Sequence, residues 1–228
     1  MQLLVSPSSI DEARCSVAAD IIDVKKPSEG SLGANYPWVI KEIKSFTKKP
    51  VSAAIGDFTF KPGGASLAAY GAACAGADYV KIGLAFDGKT RARDMIAAVV
   101  KAVKWEFPEK NVVIAAYSDY RRMGTISPYD MAPIAADLGA DVAMVDTGIK
   151  DSKSTFEFMN ESDLAAFIAR NTDLGLKTAL AGSLKFQDIG TLKRINPDII
   201  GVRGMVCGGD RNATIKEDLI ATALAMIR

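Results

Sequence analysis

Lys25 and Lys81 lie in short runs rich in Val and Ile, where charge is uncommon, and acids occupy matching positions: Asp23 stands two residues before Lys25, and Asp146 closes a third such run. A buried amine facing another amine loses its proton readily, because desolvation and like charge both disfavour the ammonium. A neutral lysine amine can attack a carbonyl carbon and form a Schiff base, and a neighbouring amine or carboxylate can then move protons. The chain has no histidine. Ser–His and Cys–His hydrolases and His-ligated metals are therefore excluded, and acid–base work falls to Asp, Glu, Lys, Tyr or Cys. Cys207 has no identifiable base beside it and reads as a small packing residue.

A second signal lies in two glycine loops. One reads Ala181-Gly182-Ser183; the other runs from Gly201 through Arg203, Gly204, Gly208 and Gly209 to Arg211. Exposed backbone amides, a helix start and arginines suit an anion such as phosphate. Ordinary turn glycine is the plainer alternative, and either loop alone would be weak. The expectation is a phosphate site at Gly182, Ser183, Arg203, Gly204, Gly209 and Arg211.

The elements that must carry these residues alternate. Short apolar runs at Gln2–Ser6, Asp20–Lys25, Val51–Gly56, Asp78–Leu84, Asn111–Tyr117, Asp141–Asp146, Lys177–Ser183 and Asp198–Gly204 predict eight strands. Helical spacing covers Ser9–Ala19, Trp38–Thr47, Ala65–Ala75, Lys89–Trp105, Pro128–Leu138, Glu161–Leu174, Phe186–Ile195 and Ala213–Ile227, with Gly76, Gly139 and Gly175 at expected helix stops. Eight β-then-α units in 228 residues predict one α/β domain, residues 1–228, folded as a (β/α)8 TIM barrel. A doubly wound open sheet is the alternative, but it needs fewer strands.

Period two along a strand then decides which side chains enter the barrel. Ile22 and Val24 face the helices, so Asp23 and Lys25 face in; the same parity turns Lys81, Asp146 and Arg203 inward. Lys25, Lys81, Asp146 and Arg203, from alternate strands, would form a polar layer at the catalytic end. A single lysine near a strand end is usually a solvated charge. Two inward lysines with inward acids are harder to dismiss, since burial costs several kcal/mol per unpaired ion. Asp146 would orient Lys25 or Lys81, and Lys150 would bring a cation to a phosphate. The loops Lys26–Asn35, Phe58–Gly64 and Thr147–Thr155 would cover the site.

Composition narrows the class. The chain is 49% hydrophobic and 24% charged with net charge +1, too apolar for disorder and too neutral to suggest a nucleic-acid partner. No run approaches the ~18 apolar residues of a membrane span, so no membrane association is expected. Three scattered cysteines suggest neither disulfides nor zinc, and the expected location is the reducing cytoplasm.

The longest motif, Asp23-Val24-Lys25-Lys26-Pro27-Ser28-Glu29-Gly30-Ser31-Leu32-Gly33-Ala34-Asn35, resembles the signature of the (5-formylfuran-3-yl)methyl phosphate synthases. Ala77–Leu84, Val145–Asp151, Ala181–Ser183, Gly201–Gly204 and Gly209–Arg211 extend the resemblance over essentially the whole chain. The resemblance implies a carbon–oxygen lyase, similar in logic to class I aldolases. It would condense two glyceraldehyde 3-phosphate molecules into 4-(hydroxymethyl)-2-furancarboxaldehyde phosphate, releasing phosphate and water, in the biosynthesis of methanofuran and related furan cofactors of one-carbon metabolism. It further implies Lys25 as the Schiff-base lysine, Lys81 as proton acceptor, and Asp23, Asp146 and Lys150 as supporting residues. Strand parity favours Lys25 over the adjacent Lys26. No cofactor is expected, metal or organic, and self-association into a homo-oligomer is. The runner-up is a Schiff-base aldolase acting on another phosphorylated aldehyde; a phosphate sensor on a barrel scaffold would need the anion site but not two inward lysines.

Overall fold

The computed structural model describes Met1–Arg228. Eight parallel strands close into a barrel in sequence order: β1 (Gln2–Val5), β2 (Ile21–Val24), β3 (Val51–Phe58), β4 (Tyr79–Leu84), β5 (Asn111–Tyr117), β6 (Val142–Asp146), β7 (Lys177–Leu180) and β8 (Ile199–Val202), with β8 pairing back onto β1. Between and after them run α1 (Ile10–Cys15), α2 (Pro37–Phe46), α3 (Pro62–Cys74), α4 (Lys89–Lys104), α5 (Tyr120–Met123), α6 (Pro128–Asp137), α7 (Glu161–Asp173), α8 (Ile189–Ile195) and α9 (Glu217–Ile227). The fold is the expected (β/α)8 barrel, and the closed sheet removes the doubly wound alternative.

Alternation along the strands divides the core in two. Leu3, Val5, Ile22, Val24, Val80 and Ile82 point out and join a shell of 57 buried residues beneath the helices. Leu4, Ile21, Ala54, Val113, Met144 and Ile199 point in and join a cluster of 11 that plugs the barrel. The outer shell is the larger, and each fully buried Val, Leu or Ile in it contributes about 1.5–3 kcal/mol, so most hydrophobic stabilisation lies outside the barrel wall.

Helix starts follow local chemistry. The Ser9 and Ser127 side chains accept the Glu12 and Asp130 amides, and Asn160 with Asp163 forms a reciprocal capping box on α7. Prolines open α2, α3 and α6, where the missing N–H has no helical partner to lose.

A repeated device fixes register at the amino-terminal end of the barrel. The aspartate just before each even strand accepts an amide of the preceding odd strand: Asp20 from Leu3 at 2.9 Å, Asp78 from Val51 at 2.7 Å, Asp141 from Val112 at 2.6 Å and Asp198 from Thr178 at 2.7 Å.

Some boundaries differ from expectation. β7 stops at Leu180 because Gly182 and Ser183 take φ of 95° and 49°. α9 begins at Glu217 rather than Ala213, since Lys216 first donates its amide to the Val206 carbonyl and Ile215 is buried. α1 stops at Cys15, where the chain turns through Ser16 and Ala19. α5 and the short 3-10 turns at Pro27–Glu29, Thr155–Glu157 and Gly204–Cys207 are too brief to show a periodicity in sequence. No helix is long and apolar enough to cross a membrane.

Candidate active site

A cavity of about 820 Å³ opens at the carboxyl ends of the strands, and every residue singled out above as catalytic or phosphate-binding lines it. At its floor lies a closed charge network. The Lys81 amine of β4 donates to both carboxylate oxygens of Asp23, fully buried on β2, at 2.7 Å each. Ser52 of β3 donates to Asp23 Oδ1 at 2.7 Å, and Ser6 at the end of β1 donates to Oδ2 at 2.8 Å. Burial alone would raise the Asp23 pKa, but the Lys81 and Lys25 charges and the Lys81 and Ser52 hydrogen bonds leave it lowered.

Lys25 follows the last residue of β2. Val24 pairs with Ala53, and Ala54 pairs with Lys81, so Lys25 stands level with Lys81 on the inward face. Its amine makes no hydrogen bond or ion pair within the chain, although the residue is only 8% exposed. Burial pulls its pKa down to about 8; Asp146 and Asp23 push it up, while Lys81 and Lys150 push it down. At a pKa of about 8 a neutral fraction on the order of a tenth exists at pH 7, and no protein donor competes for its lone pair. Lys26 turns away: its amine reaches Tyr36 Oη at 2.9 Å and Glu29 at 3.1 Å on the surface.

On the far side of Lys25, Asp146 at the end of β6 holds Lys150. The Lys150 amine donates to Asp146 Oδ1 at 2.6 Å and to Thr147 Oγ1 at 2.9 Å, and the Thr147 amide donates to Asp146 at 2.7 Å. Burial raises the Asp146 pKa, and the Lys150 and Lys25 charges outweigh it and lower it.

Asp23 holds Lys81, and at two other points the partnerships correct the sequence reading. Asp146 is hydrogen-bonded to Lys150 rather than orienting Lys25 or Lys81, which also ties down the Lys150 cation. Arg203 is not a free anchor: its guanidinium spans Glu12 of α1 at 2.9 and 3.2 Å, the Ser6 carbonyl at 2.8 Å and the Arg211 carbonyl at 2.6 Å. It shapes the β8 loop and leaves about one N–H for a ligand.

The β7 loop keeps its anion-binding character. A Cβ on Gly182 would overlap Thr155 Oγ1 and crowd the Thr147 amide, so the position requires glycine. The amides of Gly182, Ser183 and Leu184 donate to no acceptor in the chain. Gly204 opens a 3-10 turn, Gly209 takes φ of 102° in open space, and the Arg211 guanidinium makes a single hydrogen bond, to the Gly30 carbonyl at 3.3 Å. Of the three expected covering loops, only Thr147–Thr155 contributes cavity-lining residues, Lys150 and Ser152. No group of three or more Cys, Asp or Glu side chains is arranged to hold a metal ion.

Sequence reasoning missed Ser6, Ser52, Glu12, Asp57, Tyr117 and Asp119. Period two, applied to the odd strands as it was to the even ones, would have turned Ser6, Ser52 and Tyr117 inward. It would not have found Asp57, because a register shift between Ala54 and Asp57 breaks the alternation. Asp119 accepts the Gly148 and Ile149 amides at 2.7 and 3.1 Å and so holds the loop that carries Lys150.

Three comparisons bear on this geometry. A family model described as 4-HFC-P synthase matches residues 3–224. The (5-formylfuran-3-yl)methyl phosphate synthase of Methanosarcina mazei is 54% identical over 231 residues, covering 99% of this chain and 98% of that protein. The protein of the same name from Archaeoglobus fulgidus is 49% identical, covering 100% and 99%. Among solved structures, 3-hexulose-6-phosphate synthase superposes with a TM-score of 0.64 at 24% identity, covering 97% of this chain and 99% of that one. KGPDC from Streptococcus mutans superposes with a TM-score of 0.70 at 17% identity, covering 99% and 96%. At such identities the solved structures speak to the barrel fold alone.

Proposed function

The chain belongs to the 4-HFC-P synthase family, the (5-formylfuran-3-yl)methyl phosphate synthases, and from that premise we propose that it joins two glyceraldehyde 3-phosphate molecules into 4-(hydroxymethyl)-2-furancarboxaldehyde phosphate through a Schiff base on Lys25. The family is one of enzymes, and its name makes a furan phosphate the product. The observation that carries the mechanistic reading is the Lys25 amine: enclosed, without a protein partner, and facing a cavity of about 820 Å³.

The neutral Lys25 amine attacks the aldehyde of one triose phosphate and expels water as the imine. The iminium withdraws electrons from the adjacent carbon and lowers the barrier to losing its proton. Lys81, level with Lys25 and bonded to Asp23, gives a proton to the hydroxyl that leaves as water, and the neutral amine so formed takes the proton of the adjacent carbon, which restores the Asp23 ion pair. The carbon nucleophile then attacks the aldehyde of the second triose. Cyclisation, loss of inorganic phosphate, dehydration and hydrolysis of the imine, with a net loss of two waters, give the aromatic furan and free Lys25. The Gly182–Leu184 amides suit one phosphate group. Lys150, fixed by Asp146, supplies a cation beside the reacting carbons.

Incubation with glyceraldehyde 3-phosphate alone tests this. The expected result is furan-aldehyde absorbance growing in step with free phosphate, and a borohydride-trapped adduct that maps to Lys25. An adduct on Lys81 exchanges the two roles. Furan formation with no trappable adduct removes the covalent mechanism, and a trappable adduct with no phosphate release makes the chain an ordinary Schiff-base aldolase.

A further inference from the structure

Asp57, half-buried, and Tyr117, fully buried, form a polar contact that the proposed chemistry leaves unused. Tyr117, fully buried, ends β5 and points inward in step with Val113 and Ala115. Its phenol donates to Asp57 Oδ1 at 2.5 Å. Asp57, beyond the irregularity in β3, also accepts the Leu32 amide at 3.2 and 3.0 Å. Two glycines make room for the contact: a Cβ on Gly83 would overlap the Tyr117 hydroxyl, and one on Gly30 would overlap Asp57 Oδ2. Burial first, and then the Asp57 charge, hold the phenol pKa well above its ordinary value, so it remains a donor.

The contact fixes the chain between β2 and α2. Leu32 is fully buried and its side chain joins the cluster inside the barrel, although it comes from a loop. Ser31 donates to the Thr147 carbonyl at 2.8 Å, which ties this loop to the one carrying Lys150. Two residues before Leu32, the Gly30 carbonyl accepts from Arg211 at 3.3 Å. Of the two guanidiniums lining the cavity, Arg203 is spent on Glu12 and two carbonyls, while Arg211 has this one bond and is free to pair bidentately with a phosphate.

We propose that Asp57 and Tyr117 are a positioning pair: by fixing the β2–α2 loop at Leu32 they aim the Arg211 guanidinium, through the Gly30 carbonyl, at the second phosphate of the substrate pair. The proposal rests on the two-triose reading above and divides its phosphates between two anchors, the amides of Gly182–Leu184 and Arg211.

Calorimetric titration with inorganic phosphate, beside steady-state kinetics with glyceraldehyde 3-phosphate, tests it. The native protein should bind two phosphates. Arg211→Ala should bind one. Tyr117→Phe, which keeps the ring, and Asp57→Asn should bind both, with one weakened about tenfold, the scale of a lost charge-assisted hydrogen bond. In turnover, Tyr117→Phe should raise KM about tenfold with kcat nearly unchanged, and that rise should vanish in an Arg211→Ala background. A merely structural role would lower the melting temperature without moving KM. Native phosphate affinity in both Tyr117→Phe and Asp57→Asn, or an undiminished KM effect in the Arg211→Ala background, overturns the proposal. If the native protein makes no furan, the two-triose reading fails by that result alone, and the phosphate titration still decides the role of the pair.

Discussion

The two ends of the barrel use the same residue type for opposite purposes. At the amino-terminal end, Asp20, Asp78, Asp141 and Asp198 accept backbone amides and clasp each odd strand to the next even one. At the carboxyl end, Asp23 and Asp146 accept lysine amines, at 2.7 and 2.6 Å. Asp23 follows Asp20 by three positions across β2, and Asp146 follows Asp141 by five across β6. All four lower carboxylates hold backbone amides, and the two that also meet an amine, Asp78 with Lys44 and Asp141 with Lys104, do so at the partly exposed outside of the barrel. The upper ones hold amines that flank an unpaired third. An aspartate's neighbours, more than its type or its strand, decide whether it serves register or chemistry.

The sharpest way to test that division is at the group without a partner. Lys25→Ala should abolish borohydride trapping and furan formation while leaving the fold intact, because its amine makes no bond that folding needs. Residual trapping at native rate would move the chemistry elsewhere.

Next in size is the sealed pair. Lys81→Arg keeps a cation for Asp23 but cannot give up a proton, so turnover should fall by about 10²–10⁴-fold while Lys25 still forms an imine. Asp23→Asn leaves a buried ammonium without its counter-charge, and stability should fall by about 3–5 kcal/mol in a denaturant melt. Native stability in Asp23→Asn would mean that the Asp23–Lys81 pair adds nothing net to the fold.

The lower ring should behave in the reverse sense. Asp141→Ala removes the acceptor for the Val112 amide and for Lys104. The expected loss is about 1–3 kcal/mol of stability with kcat unchanged. A fall in kcat without a fall in melting temperature would erase the distinction between the two ends.

Much of this layout was legible before any coordinates. The fold followed from eight repeated units, and the inward direction of Asp23, Lys25, Lys81 and Asp146 followed from parity, because outward neighbours such as Val24 and Ile82 had to meet helices. Parity gives direction and not partnership. Asp23 lies one inward step below Lys25 on its own strand, yet the amine it binds comes from β4, because the Lys81 stem reaches across β3. Arg203 looked like a free anion anchor because Glu12, its partner, lies 191 residues away on α1, and nothing local announces that pairing. Asp57 was hidden by a strand irregularity that reverses its facing.

The smallest expected effect compares the two upper carboxylates by their action on Lys25. Burial lowers the Lys25 pKa to about 8, and of the charges around it Asp146 does most to hold it up, ahead of Asp23. The neutral amine is the reactive form, so the rate of imine trapping should rise with pH and level off above about 8. Asp146→Asn removes the charge that favours the ammonium and leaves the Lys150 cation uncompensated close by. Both changes disfavour a proton on Lys25, so the rising limb should move to lower pH and trapping below neutrality should become faster, even if later steps suffer. Asp23→Asn has no such clean sign, because it also releases the Lys81 amine from its only partner beside Lys25. Trapping rates for the native protein and both variants, measured across the pH range, separate these cases. A limb that moves to higher pH in Asp146→Asn, or does not move at all, would mean that Asp146 acts on Lys150 alone and that the Lys25 amine owes its reactivity to burial by itself.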